Sequence, residues 1–334
     1  MRNCIFSLLF LFMCFRGISQ DDFPFLTKTD QLPKDLLSKR AVVFMNINSL
    51  NWEKEAQIIH NNFVEIGVDA VAYYSLSDIM SGEDATKAFY SDITDRSIEN
   101  MLIVHQMDSG FALYATKIPE EGGFFQNGMK AFYLQDKTLK ELGSQLRTLV
   151  NKSGLERENF LIIDVPETFK KTRVIKSRRV ENFNPDIRID KLAVPKFTES
   201  IMLDMDVDQA NMALDSIMEN YYPFEYGLVE PGMTAEEMIS QGYLMVLKKL
   251  QNNGESLRRM LGYDLSEEET ILISIRKGPN EEVMKYRIDQ QVHKYYVQQL
   301  YTKDIYLGEE WDAGQSWQEA LFNHIENLKA KLKR

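Results

Sequence analysis

Apolar positions along the chain fall into two long stretches of regular period, over residues 41–168 and 198–334. In the first, residues 41–47 (AVVFMNI) are β-branched and aromatic with no helical period, which predicts a buried strand. Asn51 stands where a helix N-cap would, and Ala56, Ile59, Phe63 and Ile66 recur at helical spacing up to Gly67. The pattern then predicts a strand over 70–74, a helix over 83–96, and strands over 101–104, 111–118 and 131–134. An amphipathic helix carrying Leu139, Leu142, Leu146 and Leu149 follows, and residues 160–165 read as one more strand.

The second stretch opens with a strand predicted over 201–207 and a helix capped by Asp208, with Ala210, Leu214, Ile217 and Tyr221 on one face. A short strand over 224–229 leads to a capping box, Thr234 with Glu237, that starts a helix expected to run through Leu250. Asn252-Asn253-Gly254 breaks it, a short helix covers 256–261, and strands are predicted over 271–275, 283–288 and 295–301. Ser316 caps a last helix with Trp317, Leu321, Ile325, Leu328 and Leu332 at helical spacing.

Both stretches thus predict the order β-α-β-α-β-β-β-α, the second with an extra helical turn before its third strand and the first with an extra strand after its last helix. The expected fold class is α/β: two tandem domains over 41–168 and 198–334, each a mixed sheet with helices packed on it. A duplication would explain the repeated order; two unrelated α/β layers or one larger sheet are the alternatives. Residues 20–40, with Pro24 and Pro33, read as an extended lead-in, and 169–197 as a connector. The connector begins with the one strongly basic run, Lys170, Lys171, Arg173, Lys176, Arg178 and Arg179. It reads as a solvated hinge in preference to a docking site for an acidic partner.

Residues 1–19 have the layout of a secretory signal: Arg2, an apolar run over 5–15, then Gly17 and Ser19 at the small positions before a cut. The apolar run is shorter than the ~20 residues that a membrane-spanning helix needs. Cys14 follows the bulky Met13, which argues against lipid attachment there. Cys4 and Cys14 are the only cysteines, so removal of the leader leaves none for disulfides, thiolate catalysis or metal ligation. With 39 basic and 50 acidic residues the chain carries a formal charge of −11, which disfavours nucleic acid and anionic lipid as general partners.

Candidate chemistry is sparse. The chain contains no phosphate-binding glycine loop, no GxSxG elbow and no HExxH. His60, His105, His293 and His324 are far apart in sequence; His105 is the one at a predicted strand end, where α/β sheets place sites. Asp204, Asp206 and Asp208 would set two carboxylates on one strand face, a geometry open to a hard cation, although a half-exposed strand followed by an N-cap explains them equally. Tyr221, Tyr222, Tyr295, Tyr296, Tyr301, Tyr306, Trp311 and Trp317 form a late aromatic group, readable as a peptide or glycan surface or, more simply, as core.

These features lead to an exported, soluble, extracytoplasmic protein, periplasmic or secreted, that acts as a non-catalytic binding or assembly factor with an envelope protein as partner. The alternative is a metal-assisted or carboxylate-based hydrolase of an extracytoplasmic substrate, using Asp204, Asp206 or His105. No catalytic or cofactor-binding residue is assigned, no cofactor is expected, and metal ligation is left open. The small positions at Gly17 and Ser19 place the mature N-terminus at Gln20 or Asp21. Mass spectrometry of the exported protein should find that end; an intact leader, or a lipid on Cys14, would refute it.

Overall fold

The computed structural model describes residues 23–47, 52–169, 175–198, 203, 205–266, 268–278 and 280–332. The leader, Asn51, residues 170–174 of the basic run, and Asp204 lie outside them. Alternation of apolar residues makes β2 (Arg40–Asn46) a strand buried on both faces: Ala41, Val43 and Met45 point one way, Val42 and Phe44 the other. The chain then turns into α1 (Glu53–Ile66), which Gly67 ends at φ 99°, a conformation that favours glycine. Next come β3 (Asp69–Ser75), α2 (Leu76–Ile79), α3 (Glu83–Asp95), β4 (Ile98–Met107), β5 (Gly110–Lys117), β6 (Met129–Asp136) and α4 (Leu139–Ser153). In the lead-in, β1 (Leu26–Thr29) pairs with β6, completing a sheet of order β1-β6-β5-β4-β2-β3. Strand β2 runs parallel to β3 and β4, β5 is antiparallel to β4 and β6, and β1 is parallel to β6.

The second half has β7 (Arg179–Val180), β8 (Leu192–Pro195), α5 (Val207–Tyr221), β9 (Tyr226–Val229), α6 (Ala235–Ser240), β10 (Met245–Asn253) and α7 (Gly254–Met260). After these come β11 (Ile271–Arg276), β12 (Glu282–Arg287), β13 (Gln291–Gln299), β14 (Ile305–Tyr306) and α8 (Trp317–Leu332). Its sheet order, β7-β14-β13-β10-β8-β9, matches the first strand for strand, with the same parallel and antiparallel steps. The protein is therefore mixed α/β, two six-stranded mixed sheets packed with helices. No helix among the described residues is long and apolar enough to cross a membrane.

The expected order of elements recurs in the second half, but several segments fill other places in it. Residues 201–207 do not supply its first strand: β8 does, inside the stretch read as connector, and the described residues 203, 205 and 206 are not strand. Asp206, not Asp208, caps α5, its carboxylate accepting from the N–H groups of Asp208 at 3.0 Å and Gln209 at 3.1 Å. The helix that the capping box opens stops at Ser240, because Gly242 takes φ 86° and turns the chain into β10. Val246 and Leu250 stand four apart and mimic helical spacing, which hid the strand. Residues 271–275 and 283–288 belong to β11–β12, a hairpin outside the six-stranded sheet. Residues 160–165 are irregular chain rather than strand, with Phe160, Leu161, Ile163 and Val165 exposed.

Each sheet carries two helices on its outer face. Ile59 and Phe63 of α1 pack with Leu142 and Leu146 of α4 over the first sheet; Leu214 and Met218 of α5 pack with Leu321 and Ile325 of α8 over the second. The inner faces share one core, in which Val42, Phe44 and Tyr114 join Leu250, Leu257, Val292 and Tyr296. The halves approach closely at Gly82: a Cβ there would lie 2.5 Å from the carbonyl oxygen of Lys249. Beside it Gln251 N–H donates to Ser81 O at 2.7 Å, and Asn252 Nδ2 donates to Asp78 and to Ser81 Oγ, both at 2.8 Å.

The second sheet also buries a charged cluster. Lys294 Nζ lies 2.6 Å from Asp312, both side chains 0% exposed, and donates to the carbonyls of Tyr295 at 2.9 Å and Leu307 at 3.0 Å. His324 Nδ1 is 3.1 Å from the same carboxylate. Removing the cation strands a buried carboxylate, so Lys294→Met should cost about 3–5 kcal/mol in urea unfolding, and Lys294→Met with Asp312→Leu should recover most of that loss. A single variant within about 1 kcal/mol of the parent would contradict this account of the pair.

Candidate functional site: the crevice between β8 and β10

In each sheet a central strand connects to its neighbours over opposite faces. From β2 the chain crosses the outer face through α1 to β3, then the inner face through α3 to β4; from β8 it goes through α5 to β9 and through α6 to β10. Burial confirms the sides: α5 packs with Leu192 and Val194, whereas Met238 of α6 packs with Ala193 and Val246. Where connections leave a strand in opposite directions, a crevice forms past its carboxyl end, the usual ligand position in open α/β sheets. The fold has two such points, β2/β4 and β8/β10.

The first is closed. Strands β2 and β4 stay in register through Asn46 and His105, whose side chains meet at 2.8 Å between Nδ2 and Nδ1. The Phe23 ring packs edge-on against the imidazole, centroids 5.3 Å apart. The sequence pattern places His105 at a strand end, but β4 runs on to Met107, so His105 lies inside the strand opposite the end of β2, and it is engaged.

The second is open, and Pro195 explains why. Leu192 and Lys196 donate their N–H groups toward β9, to Glu225 O and Val229 O, both at 3.0 Å. By alternation the nitrogen of residue 195 faces β10, and proline has no hydrogen to give. Pairing of β8 with β10 ends at Ala193 opposite Val246. Beyond it lies a cavity of about 370 Å³, walled by Val194, Phe197, Leu214, Leu247 and Tyr295, with the exposed Thr198 at its rim.

Two polar side chains share this wall. Lys249 and Tyr295 are cross-strand partners and so neighbour each other on one face. The Lys249 ammonium stands 4.6 Å from the Phe197 ring centroid. Tyr295 is 3% exposed, and its hydroxyl is buried with no hydrogen-bond partner among the described residues. Burial pushes that phenol far above its usual range, so it stays protonated and available as a donor. The next cross-strand pair is Gln251 with His293. Burial, helped by the nearby Lys249 charge, lowers His293 to about 3, and its Nδ1 is also without a partner among the described residues.

Among the described residues, the acids at the cavity are committed. Lys248 Nζ lies 3.0 Å from Asp84 and 3.3 Å from Glu83, Lys87 is 2.5 Å from Glu83, and Tyr296 donates to Asp84 at 2.7 Å. A second cavity, about 510 Å³, lies beyond these residues and shares Glu83, Asp84 and Lys248 with the first. None of its lining side chains holds a buried polar atom without a partner.

The other residues singled out in the sequence do not converge here. Asp206 is a helix cap, and no group of three or more His, Cys, Asp or Glu suited to a metal occurs among the described residues. His60 is buried between Tyr73 OH at 2.9 Å and Ile163 O at 2.8 Å, and His324 belongs to the Lys294 cluster. Tyr222, Tyr295, Tyr296, Tyr306 and Trp317 are buried, while Tyr221 and Tyr301 are exposed, so the late aromatic residues form no continuous surface. In the described part of the basic run, Arg178 pairs with Asp304, and Arg179 with Glu181. Lys249 was missed because 244–250 carries a helical spacing; with β10 hidden, nothing set it opposite Tyr295. The chain matches no known family model, no curated protein and no solved structure.

His293, on the strand that carries Tyr295, makes the fold beside the site sensitive to acid. Its folded pKa of about 3 lies below the unfolded value of about 6.5. Between these values the unfolded chain takes up a proton that the folded chain refuses, so stability falls as pH drops from 6.5 toward 3. His293→Gln should therefore show a shallower loss of melting temperature between pH 7 and 4. Parallel curves for parent and variant would mean that His293 contributes nothing to acid sensitivity.

Proposed function

We propose that the protein is an exported, non-catalytic binding or assembly factor of the cell envelope, and that the crevice between β8 and β10 holds its ligand. The observation that carries this reading is the cavity past the end of β8, lined by Tyr295, whose hydroxyl is buried and unpartnered among the described residues. Apolar walls with a few polar groups are the usual make-up of small-molecule sites. Export follows from the leader pattern of residues 1–19. The exposed run of Phe160, Leu161, Ile163 and Val165 supports an envelope protein as partner, since neighbouring apolar side chains left in water favour association.

A mild crosslinking pull-down from the protein's own envelope, followed by native mass spectrometry, tests the reading. The expected result is a ligand mass above that of the polypeptide, together with one envelope protein whose crosslinks fall near residues 160–165. Recovery of the bare chain with neither companion, or turnover of an envelope substrate that survives Tyr295→Phe, would overturn it.

A further inference from the structure

Lys294 and Asp312 touch without a hydrogen bond between them. Nζ lies 2.6 Å from Asp312 Oδ1, both side chains 0% exposed, yet Oδ1 accepts no hydrogen bond among the described residues. The nitrogen donates elsewhere, to the carbonyl oxygens of Tyr295 at 2.9 Å and Leu307 at 3.0 Å. A neutral amine has two hydrogens and one lone pair. With both hydrogens on carbonyls, the lone pair is left for the carboxyl group. The chain holds both reactants in place. His293, next to Lys294 on β13, exchanges backbone hydrogen bonds of 2.8 and 3.0 Å with Gly314. From the other side β11 grips the same segment: Ile275 N–H donates to Trp311 O at 2.7 Å, and Ser274 Oγ to Ala313 O at 2.6 Å. The second carboxyl oxygen, Oδ2, lies 3.1 Å from His324 Nδ1 and 3.5 Å from Asn327 Nδ2, and His324 Nε2 has no partner among the described residues. Contact held this firmly acts as an effective concentration on the order of 10⁵ M or more. Two charges kept out of water are costly, so a reaction that removes both is favoured.

We propose that Lys294 and Asp312 condense into an amide, a covalent link inside the second half. One ammonium proton passes to the carboxylate, giving amine and acid. Nζ then attacks Cγ, a second proton leaves the nitrogen and reaches Oδ2 through His324, and the Cγ–Oδ2 bond breaks as the Nζ–Cγ bond forms. One water departs, nothing is oxidised or reduced, and Oδ1 remains as the amide oxygen. The amide keeps one N–H for one of the two carbonyls. Before the bond forms, the residues are the ion pair whose joint replacement by Met and Leu is close to neutral; afterwards that replacement also removes a link. The link ties β13 to the segment ahead of α8 in a chain whose two cysteines both lie in its first 14 residues, and it constrains the unfolded chain as a disulfide does elsewhere.

Intact-mass measurement of the purified, denatured protein tests the bond. The parent should be lighter than its sequence by one water; Lys294→Met, and Lys294→Met with Asp312→Leu, should each have their full sequence mass. The double variant strands neither charge of the pair, so its circular dichroism separates absence of the bond from loss of fold. Trypsin should spare Lys294 in the parent and release residues 288–303 joined to 304–329 as one branched peptide. In His324→Gln, bond formation should slow by about a hundredfold, so that fresh protein keeps its full mass and loses water on incubation. A parent at full sequence mass after prolonged incubation, cleaved after Lys294, would overturn the proposal. A lost water that Lys294→Met retains would overturn it too, because an aspartate can also lose water to its own backbone as a succinimide. Water lost as fast in His324→Gln as in the parent would overturn the relay through His324, while the branched peptide decides the bond.

Discussion

Lys248 sits where the two sheets meet, its ammonium between Glu83 and Asp84 of the first half, and its strand cannot turn without breaking that contact. Successive side chains on a strand point to opposite faces. With Lys248 fixed toward the inner face, Leu247 and Lys249 must point outward, to the side of α5 and the crevice. Tyr296 obeys the same rule on β13: its hydroxyl reaches Asp84 on the inner face, so Tyr295 faces outward beside Lys249. The close approach at Gly82 holds this register, because any side chain there would meet the Lys249 carbonyl. The seam that joins the halves therefore also aims the polar groups of the candidate site. A one-residue slip of β10 would bury Lys249 in the shared core and pull Lys248 away from Glu83 and Asp84.

One topology appears twice with opposite results at the point where its connections diverge. In the first sheet β2 has seven residues and stays paired with β4 to its end, where Asn46 and His105 seal the gap. In the second, β8 has four residues and ends at Pro195, whose missing hydrogen falls on the β10 side. The difference between a sealed and an open crevice thus comes down to one imino acid and the shortness of the strand it ends. Each half has the same architecture, and the cavity past β8 lies at the second of the two points.

Much of the first half was legible because its strands are long and its helix ends are marked. Residues 41–47 alternate between two buried faces, and Gly67 stops α1 where the spacing said it would. The second half was legible in order but not in assignment. Its first strand, Leu192–Pro195, is too short to show a period and lies behind a charged stretch that looked like a linker. The lysines of β10 at 248 and 249 broke the apolar run, and Val246 with Leu250 supplied a false helical spacing. The inserted hairpin β11–β12 then took the places of the true strands, so the order survived through compensating substitutions. Pro195 was visible in the sequence, but its meaning depends on which neighbour its nitrogen faces, and that is a property of the sheet. Tyr295 likewise gave no signal until its partner strand was known.

The buried cluster of Lys294, Asp312 and His324 shows how a chain of this composition can fix a core without disulfides. Both cysteines of the sequence lie within its first 14 residues, so every described residue is held by packing, hydrogen bonds and charge. Lys294 forms an ion pair with Asp312 and donates to two backbone carbonyls, and the carboxylate in turn holds His324 of α8. Apolar residues of the same volume would fill that space at equal or lower cost. A charged cluster adds direction: the ammonium fits only where both carbonyls and the carboxylate converge, which sets α8 against β13 in one register. Tyr295 gives one of those carbonyls, so the backbone beneath its side chain is pinned from the opposite face. The Tyr295 side chain that lines the crevice is thereby carried on rigid backbone. That is the condition under which a site wall can select a ligand, because little ordering entropy remains to be lost on binding.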